Sequence, residues 1–217
     1  MTIEALVFDL DGVLADTELV HLAAARALVA PAELPMSEYE RFIGTSGFSE
    51  WISATYGLTR EQIHVDYDRL FHEHLETHGL EPMPGAHKLF DAVEERGLAL
   101  AVASQSSRRW VEATLDAIGL RERVPLIVTS ADVAQGKPAP DIYLNVTERL
   151  AVAPASAIAI EDSVHGVAAA AAAGMVVVQS TQASITPPPQ PGAHALIDSL
   201  EAFDLRWFDE PPGSAEA

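Results

Sequence analysis

The chain has 217 residues, of which 48% are hydrophobic and 21% charged, with a mean hydropathy of +0.12. These values are typical of a globular protein and exclude a chain that is mainly disordered. With 13 basic and 32 acidic residues the net charge is −19, which disfavours binding to nucleic acid or anionic membranes. There is no cysteine, and the first residues lack a secretory signal pattern, so we expect a cytoplasmic protein. We also expect it to act as a monomer.

Short apolar runs predict the strands of a buried sheet. The first covers residues 5–8 and ends at Asp9. Similar runs lie at residues 98–103, 126–128, 157–160 and 175–178, with a weaker one at 195–197. Apolar residues at helical spacing fill the intervals, and Gly97, Gly119 and Pro140 mark helix boundaries. This alternation predicts an α/β fold with a doubly wound parallel sheet.

The interval between the first two predicted strands is long. It covers roughly 85 residues, where a crossover connection needs only about a dozen. Its apolar residues recur at helical spacing, as in Ile63, Tyr67, Leu70 and Phe71. We therefore predict a small helical cap domain over residues 16–81, inserted into a core domain made of residues 1–15 and 82–217.

Polar residues follow four of the predicted strands, where parallel sheets bind ligands. They are Asp9 and Asp11, Ser104 and Gln105, Lys137, and Glu161 and Asp162. Acidic side chains that converge at one edge repel one another unless a cation lies among them, and oxygen ligands favour Mg²⁺. A hydroxyl, backbone N–H groups and a lysine are groups that hold phosphate. Since one carboxylate of the Asp9–Asp11 pair can attack phosphorus while the other protonates a leaving oxygen, the pattern suggests phosphoryl transfer.

These residues lie in four motifs that resemble those of the haloacid dehalogenase-like superfamily. The motifs are VFDLDGVLADTE at residues 7–18, Ser104, GKPAPD at 136–141 and IEDS at 160–163. They occur in the order of the family, and the helical insert has the position of the family's cap. Within the superfamily the chain is similar to the subgroup of β-phosphoglucomutase and small sugar-phosphate phosphatases, with a Rossmann-like core.

The resemblance implies specific roles for the four acidic residues. Asp9 would be the nucleophile and a Mg²⁺ ligand. Asp11 would be the general acid and then the general base, with its backbone carbonyl on the metal. Asp162 would be a direct metal ligand, and Glu161 would be an outer-shell ligand.

The resemblance also assigns the phosphate-binding residues Ser104 and Lys137, beside the backbone of Gln105. Simpler interpretations exist for both side chains. Lys137 could be a solvated turn residue, and Ser104 could cap the following helix, although Ser106 or Ser107 fits that capping role better.

The insert favours one branch of the family over the others. His21 lies where the mutases carry a hinge histidine, but Gly44, Thr45 and Ser46 are followed by Gly47, where mutases carry an arginine. The insert also has no lysine, whereas mutases and phosphonoacetaldehyde hydrolases carry a lysine in the cap, so neither activity is favoured. Dehalogenases lack the second acid of the first motif. That acid is present here as Asp11, so a dehalogenase is disfavoured.

We therefore predict a Mg²⁺-dependent phosphatase acting on a small sugar or polyol phosphate. The alternatives are a phosphosugar mutase and, outside enzymes, a phosphate-binding regulatory protein similar to receiver domains. In the cap, Trp51 could line the substrate pocket or pack in the cap core. His72, His74 and His78 could bind zinc, but a solvated helix is the favoured interpretation.

Overall fold

The computed structural model describes residues 2–42 and 47–213. The chain divides into two compact units. One contains the chain up to Asp16 and from Glu81 onward, and the other covers Thr17–Leu80. Across the described residues, no helix has the length and apolar character needed to cross a membrane.

The first unit is built on a parallel sheet, which within the described residues has six strands in the order β3-β2-β1-β4-β5-β6. The strands are β1 (Ala5–Phe8), β2 (Ala99–Ser104), β3 (Leu126–Thr129), β4 (Ala157–Glu161), β5 (Val176–Ser180) and β6 (Ala195–Ile197). All four residues of β1 are buried, as expected for a strand covered on both faces. The predicted α/β class is confirmed.

Four strands, β2 to β5, extend beyond their apolar runs because polar residues continue the ladder. Ser104 pairs with Thr129 at the end of β2, and Glu161 pairs with Gln179 at the end of β4. All four of these side chains are buried. The Gln179 amide oxygen accepts a hydrogen bond from Gln190 N at 2.8 Å, so its burial does not leave a polar atom unpaired.

Helices cover both faces of this sheet. They are α5 (Ala86–Glu95), α6 (Arg108–Ala117), α7 (Asp141–Leu150) and α8 (Val164–Ala172). Side chains alternate across β1, so Val7 packs in the cluster that contains Tyr143 of α7, whereas Phe8 lies 5.0 Å from the ring of Phe90 on α5. Burial on both faces explains why the strands are apolar throughout.

The second unit is helical, as predicted for the cap. Its helices are α1 (Glu18–Val29), α2 (Met36–Tyr39), α3 (Phe48–Tyr56) and α4 (Arg60–His78). A capping box fixes the start of α4, since Thr59 Oγ1 accepts from Gln62 N at 3.2 Å and Gln62 Oε1 accepts from Thr59 N at 2.9 Å. The unit has its own apolar cluster, which includes Leu22 and Ile52.

Candidate active site

The strand order places the predicted residues of the first unit at a topological switch point. The chain leaves β1 for β2 on one side and later returns to β4 on the other, so β1 and β4 are neighbours. Phe8 pairs with Ile160, and the next residues, Asp9 and Glu161, are therefore side by side at the carboxyl edge. Ligands bind at this position in open α/β sheets.

Lys137 lies at the centre of this edge. Its Nζ donates to Asp9 Oδ1 at 2.6 Å, to Glu161 Oε1 at 2.5 Å and to the carbonyl of Ala103 at 3.0 Å. The residue is only 7% exposed. Burial opposes the charge of the ammonium, but the carboxylates of Asp9 and Glu161 outweigh it and raise the pKa of Lys137. Lys137 is thus a charged group shared between two strand ends and not a solvated turn residue.

Glu161 is held by donors on both of its oxygens. Oε1 accepts from Lys137 and, at 2.5 Å, from the hydroxyl of Tyr143, while Oε2 accepts from Asp162 N at 3.2 Å and from Ser163 Oγ at 3.1 Å. The carboxylate also packs directly on Gly166 of α8, where an added Cβ would lie 1.9 Å from its Cδ. Burial of an ionised group is tolerated only with such pairing.

Asp162 lies against the turn that follows β1. A Cβ added to Gly12 would lie 1.9 Å from Asp162 Oδ2, and Gly12 has a φ of +77°, so glycine is required there for two reasons. Carboxylate oxygens of Asp9, Glu161 and Asp162 all lie within 4.8 Å of one another. The sequence placed these three residues on two strand ends, and the structure brings them together.

Burial raises the pKa of Asp9 to about 8, with Lys137 opposing and Glu161 and Asp11 adding to the rise. Burial, followed by the charges of Asp9 and Glu161, likewise raises the pKa of Asp162. The cluster thus combines three carboxylates, those of Asp9, Glu161 and Asp162, with the single ammonium of Lys137. A cluster of oxygen donors with excess negative charge fits a hard divalent cation.

Asp11 is held by two hydroxyls, from Ser104 at the end of β2 and from Ser106 in the loop that follows. Its Oδ2 accepts from Ser106 Oγ at 2.7 Å and from Ser104 Oγ at 3.3 Å. Ser104 Oγ also accepts from Ser106 N at 3.0 Å. Ser107, and not Ser104, caps α6, because its side chain accepts from Trp110 N. Ser104 is thereby left beside Asp11.

Gln105 occupies an exposed position in the same loop. Its side-chain amide forms hydrogen bonds with the backbone of Lys137. Its backbone carbonyl accepts a hydrogen bond from Ser130 Oγ at 2.9 Å. The sequence assigned only the backbone of Gln105 to the site, so this side-chain contact is an additional feature.

The predicted cap residues lie in the second unit. His21 Nδ1 is 3.1 Å from the Tyr67 hydroxyl, and its ring lies 4.7 Å from that of Phe71. Trp51 packs 5.0 Å from Phe42 and contacts the apolar cluster of the cap, which supports the core-packing interpretation for this residue. Gly47 precedes α3 with a φ of +106°. Gly44, Thr45 and Ser46 lie outside the described residues.

Two residues in the first unit were not identified from the sequence. Ser106 holds Asp11, and Tyr143 holds Glu161 from within α7. The SxS pattern of residues 104–106 was a usable signal for Ser106, because residues two apart after a strand can share one loop. Tyr143 gave no such signal, since a tyrosine at helical spacing is typical of a core.

Residues 6–179 match the sequence profile of the family described as haloacid dehalogenase-like hydrolase. The chain belongs to this family. It is 32% identical to protein CbbY of Rhodobacter capsulatus, over 100% of this chain and 98% of that protein. It is also 31% identical to the phosphorylated carbohydrates phosphatase of Thermotoga maritima, over 79% of this chain and 82% of that protein.

A solved structure shows the same architecture. CbbY from Rhodobacter sphaeroides, crystallised in complex with phosphate, superimposes with a TM-score of 0.82 at 31% identity, covering 92% of this chain and 96% of that one. A mutant of the same protein was crystallised with xylulose-1,5-bisphosphate, with a TM-score of 0.81 and 30% identity. The predicted family and its subgroup of β-phosphoglucomutase-like proteins and sugar-phosphate phosphatases are confirmed, and the chain is a hydrolase of the haloacid dehalogenase-like family.

Proposed function

We propose that this protein is a Mg²⁺-dependent phosphatase that hydrolyses a small sugar or polyol phosphate through an aspartyl-phosphate on Asp9. The convergence of Lys137, Asp9 and the Glu161–Asp162 pair carries this proposal. Asp9 supplies a nucleophilic carboxylate, and Lys137 supplies a cation for the phosphoryl oxygens. Together with Asp9, the Glu161–Asp162 pair supplies a cluster of metal-binding oxygens at one edge of the sheet. A net charge of −19 would otherwise repel a phosphate ester, so local positive charge is necessary.

In the first step a carboxylate oxygen of Asp9 attacks phosphorus. The new bond joins Asp9 to the phosphoryl group, and the bond between phosphorus and the ester oxygen breaks. Asp11 donates a proton to the departing oxygen, which leaves as the alcohol. Lys137 and the hydroxyl of Ser104 hold the transferring oxygens, so the chain acts mainly by positioning and by stabilising charge.

In the second step Asp11 accepts a proton from water as the water oxygen attacks the acyl phosphate. Orthophosphate leaves, Asp9 regains its carboxylate, and Asp11 is again protonated for the next cycle. The 2.7 Å hydrogen bond from Ser106 keeps the Asp11 side chain beside the path of the reaction.

Asp9, Asp162 and the backbone carbonyl of Asp11 would hold the metal ion, with Glu161 behind them. Bound Mg²⁺ supplies the positive charge that allows an anionic nucleophile to approach an anionic ester. The donors already on Glu161 favour a supporting role for this residue, because both of its oxygens accept hydrogen bonds from the protein.

The charges of the cap favour a substrate with a neutral end away from the phosphoryl group. Residues 17–80 contain ten acidic residues, four arginines and no lysine. Three of the arginines pair with acidic residues, Arg41 with Glu38 at 2.6 Å, Arg60 with Glu50 at 2.9 Å and Arg69 with Glu73 at 2.8 Å. We therefore expect monophosphates to be better substrates than the bisphosphate bound by the CbbY relative.

The test is release of orthophosphate from a panel of sugar, polyol and glycolate monophosphates and xylulose-1,5-bisphosphate, with and without Mg²⁺. Asp9→Asn is the matched control, since it keeps the shape of the side chain and removes the nucleophile. We expect many turnovers with Mg²⁺ and none in the control. Glucose 1-phosphate is followed in parallel for conversion to glucose 6-phosphate.

Each other outcome contradicts part of the proposal. Isomerisation without net release would make the protein a mutase. Phosphate bound once, without turnover of any ester, would make it a regulatory protein. Faster hydrolysis of the bisphosphate than of the monophosphates would overturn the assignment of a neutral substrate end.

A further inference from the structure

The Gln105 side chain makes two hydrogen bonds to the backbone of one residue. Its Nε2 donates to the Lys137 carbonyl at 3.1 Å, and its Oε1 accepts from Lys137 N at 3.1 Å. A side-chain amide thus pairs with both backbone groups of Lys137, as a neighbouring strand would. The contact joins the loop after β2 to the loop after β3, which are 32 residues apart in sequence.

Gly136 leaves the space that this contact needs. A Cβ added to Gly136 would lie 2.3 Å from Gln105 Oε1 and 3.2 Å from Cδ of the same side chain. Gly136 is not among the glycines with positive φ, so its backbone conformation is open to other residues. The glycine is therefore explained by the amide of Gln105 and not by the turn.

The position of Lys137 explains why its backbone has to be fixed. The side chain is long and flexible, so ordering it costs conformational entropy. Its Nζ end has three acceptors in the site, but its backbone lies in a loop outside the strands. Gln105 holds the start of the side chain, while Asp9 and Glu161 hold its end.

We propose that Gln105 is a positioning residue for Lys137, through its side-chain amide and separately from any contact of its backbone with phosphate. This inference rests on the proposed phosphatase function for its catalytic consequence, but the contact itself is independent of it. Gln105 would set how accurately Lys137 meets the phosphoryl group on Asp9, and so would affect the rate of transfer more than substrate binding.

A double-mutant cycle tests this relationship. Gln105→Ala removes the amide, and Gly136→Ala pushes the same amide away from Lys137. Each single change is expected to lower kcat by about 10-fold with KM changed by less than about 2-fold, because displacement of a positioned group reduces the rate of the chemical step. In the Gln105→Ala background the space beside residue 136 is open, so adding Gly136→Ala should lower kcat no further.

Gln135→Ala is the control, because Gln135 is an exposed amide in the same loop and should leave kcat unchanged. The melting temperatures of the same proteins form a second cycle that does not need activity. Each single change should lower the melting temperature by about 2–4 °C, and the double variant should match Gln105→Ala. Additive losses in either cycle, or an unchanged kcat in Gln105→Ala, would overturn the proposal.

Wild-type protein that hydrolyses no phosphate ester would mean that the proposed function fails. The melting-temperature cycle would still decide whether Gln105 and Gly136 are coupled, so the two failures are distinguishable.

Discussion

The hydroxyl of Tyr143 donates a 2.5 Å hydrogen bond to Glu161 Oε1, the oxygen that also accepts from Lys137 Nζ. Tyr143 and Glu161 are both completely buried, and Lys137 Nζ lies 5.2 Å from the centre of the Tyr143 ring. Burial raises the pKa of Tyr143 well above its usual value, and the Glu161 charge adds to this, so the phenol remains a donor. A core tyrosine therefore supports the charged residues of the site.

Tyr143→Phe should destabilise the protein by about 2 kcal/mol, because a buried carboxylate loses one of its donors. Urea unfolding measures the change. Tyr56→Phe is the matched control, since Tyr56 makes an exposed hydrogen bond to the carbonyl of Glu33 and its loss should cost less than about 0.5 kcal/mol. Equal effects of the two substitutions would show that Glu161 does not depend on Tyr143.

Ser106→Ala should lower kcat by about 10-fold with little change in KM, because Asp11, the proposed general acid, loses its 2.7 Å donor. Ser107→Ala provides the contrast in the next position. Ser107 caps α6, so its replacement should reduce stability by about 1 kcal/mol and leave kcat unchanged. Steady-state kinetics and thermal unfolding of both variants separate the two roles, and a normal kcat in Ser106→Ala would contradict this role of Ser106.

Asp132 should make stability depend on pH at the acidic end. Hydrogen bonds from Thr129 N at 2.7 Å and Thr129 Oγ1 at 2.9 Å, together with the charge of Arg108, lower the pKa of Asp132 below its ordinary value near 3.8. The folded state thus favours the ionised form. This contribution is fully present above the ordinary pKa and is lost as the pH falls through the lower folded value.

Asp132→Asn should therefore be less stable than wild type by about 1 kcal/mol at neutral pH. The difference should shrink as the pH falls below about 4, where Asp132 becomes protonated first in the unfolded chain and then, at its lower pKa, in the folded chain. Urea unfolding at a series of pH values measures it. A difference that stays constant down to the lowest pH would show that the Asp132 charge contributes nothing.

Gly166→Ala should destabilise the protein by about 2 kcal/mol, since the new methyl group overlaps the Glu161 carboxylate. Helix propensity alone predicts the opposite sign, a gain of about 1 kcal/mol for alanine. Ala168→Gly, at an exposed position of the same helix, should follow propensity and lose up to about 1 kcal/mol. Thermal unfolding of both variants measures the sign and size of each change in stability. A Gly166→Ala variant that is more stable than wild type would refute the close approach of Glu161 to α8.

The parts of this molecule that could be predicted are those fixed by strand burial. Asp9 and Glu161 follow apolar runs, and a parallel sheet brings the carboxyl ends of its strands to one edge, where the observed strand order makes β1 and β4 neighbours. The contacts of Gln105 and Tyr143 could not be predicted in the same way. They depend on the path of loops and on one helix face, over separations of 32 and 18 residues. Apolar periodicity does not determine which polar side chain crosses such a distance.

The most direct test of the account is phosphorylation of Asp9 itself. Asp11→Asn is incubated with p-nitrophenyl phosphate and Mg²⁺, because this good leaving group needs no general acid while the missing base should slow hydrolysis of the intermediate. Intact mass and peptide mapping should show one phosphoryl group on Asp9, released by hydroxylamine and absent from the Asp9→Asn, Asp11→Asn double variant. Phosphate release at the wild-type rate without any phosphorylated protein, or a phosphoryl group on a residue other than Asp9, would contradict the account.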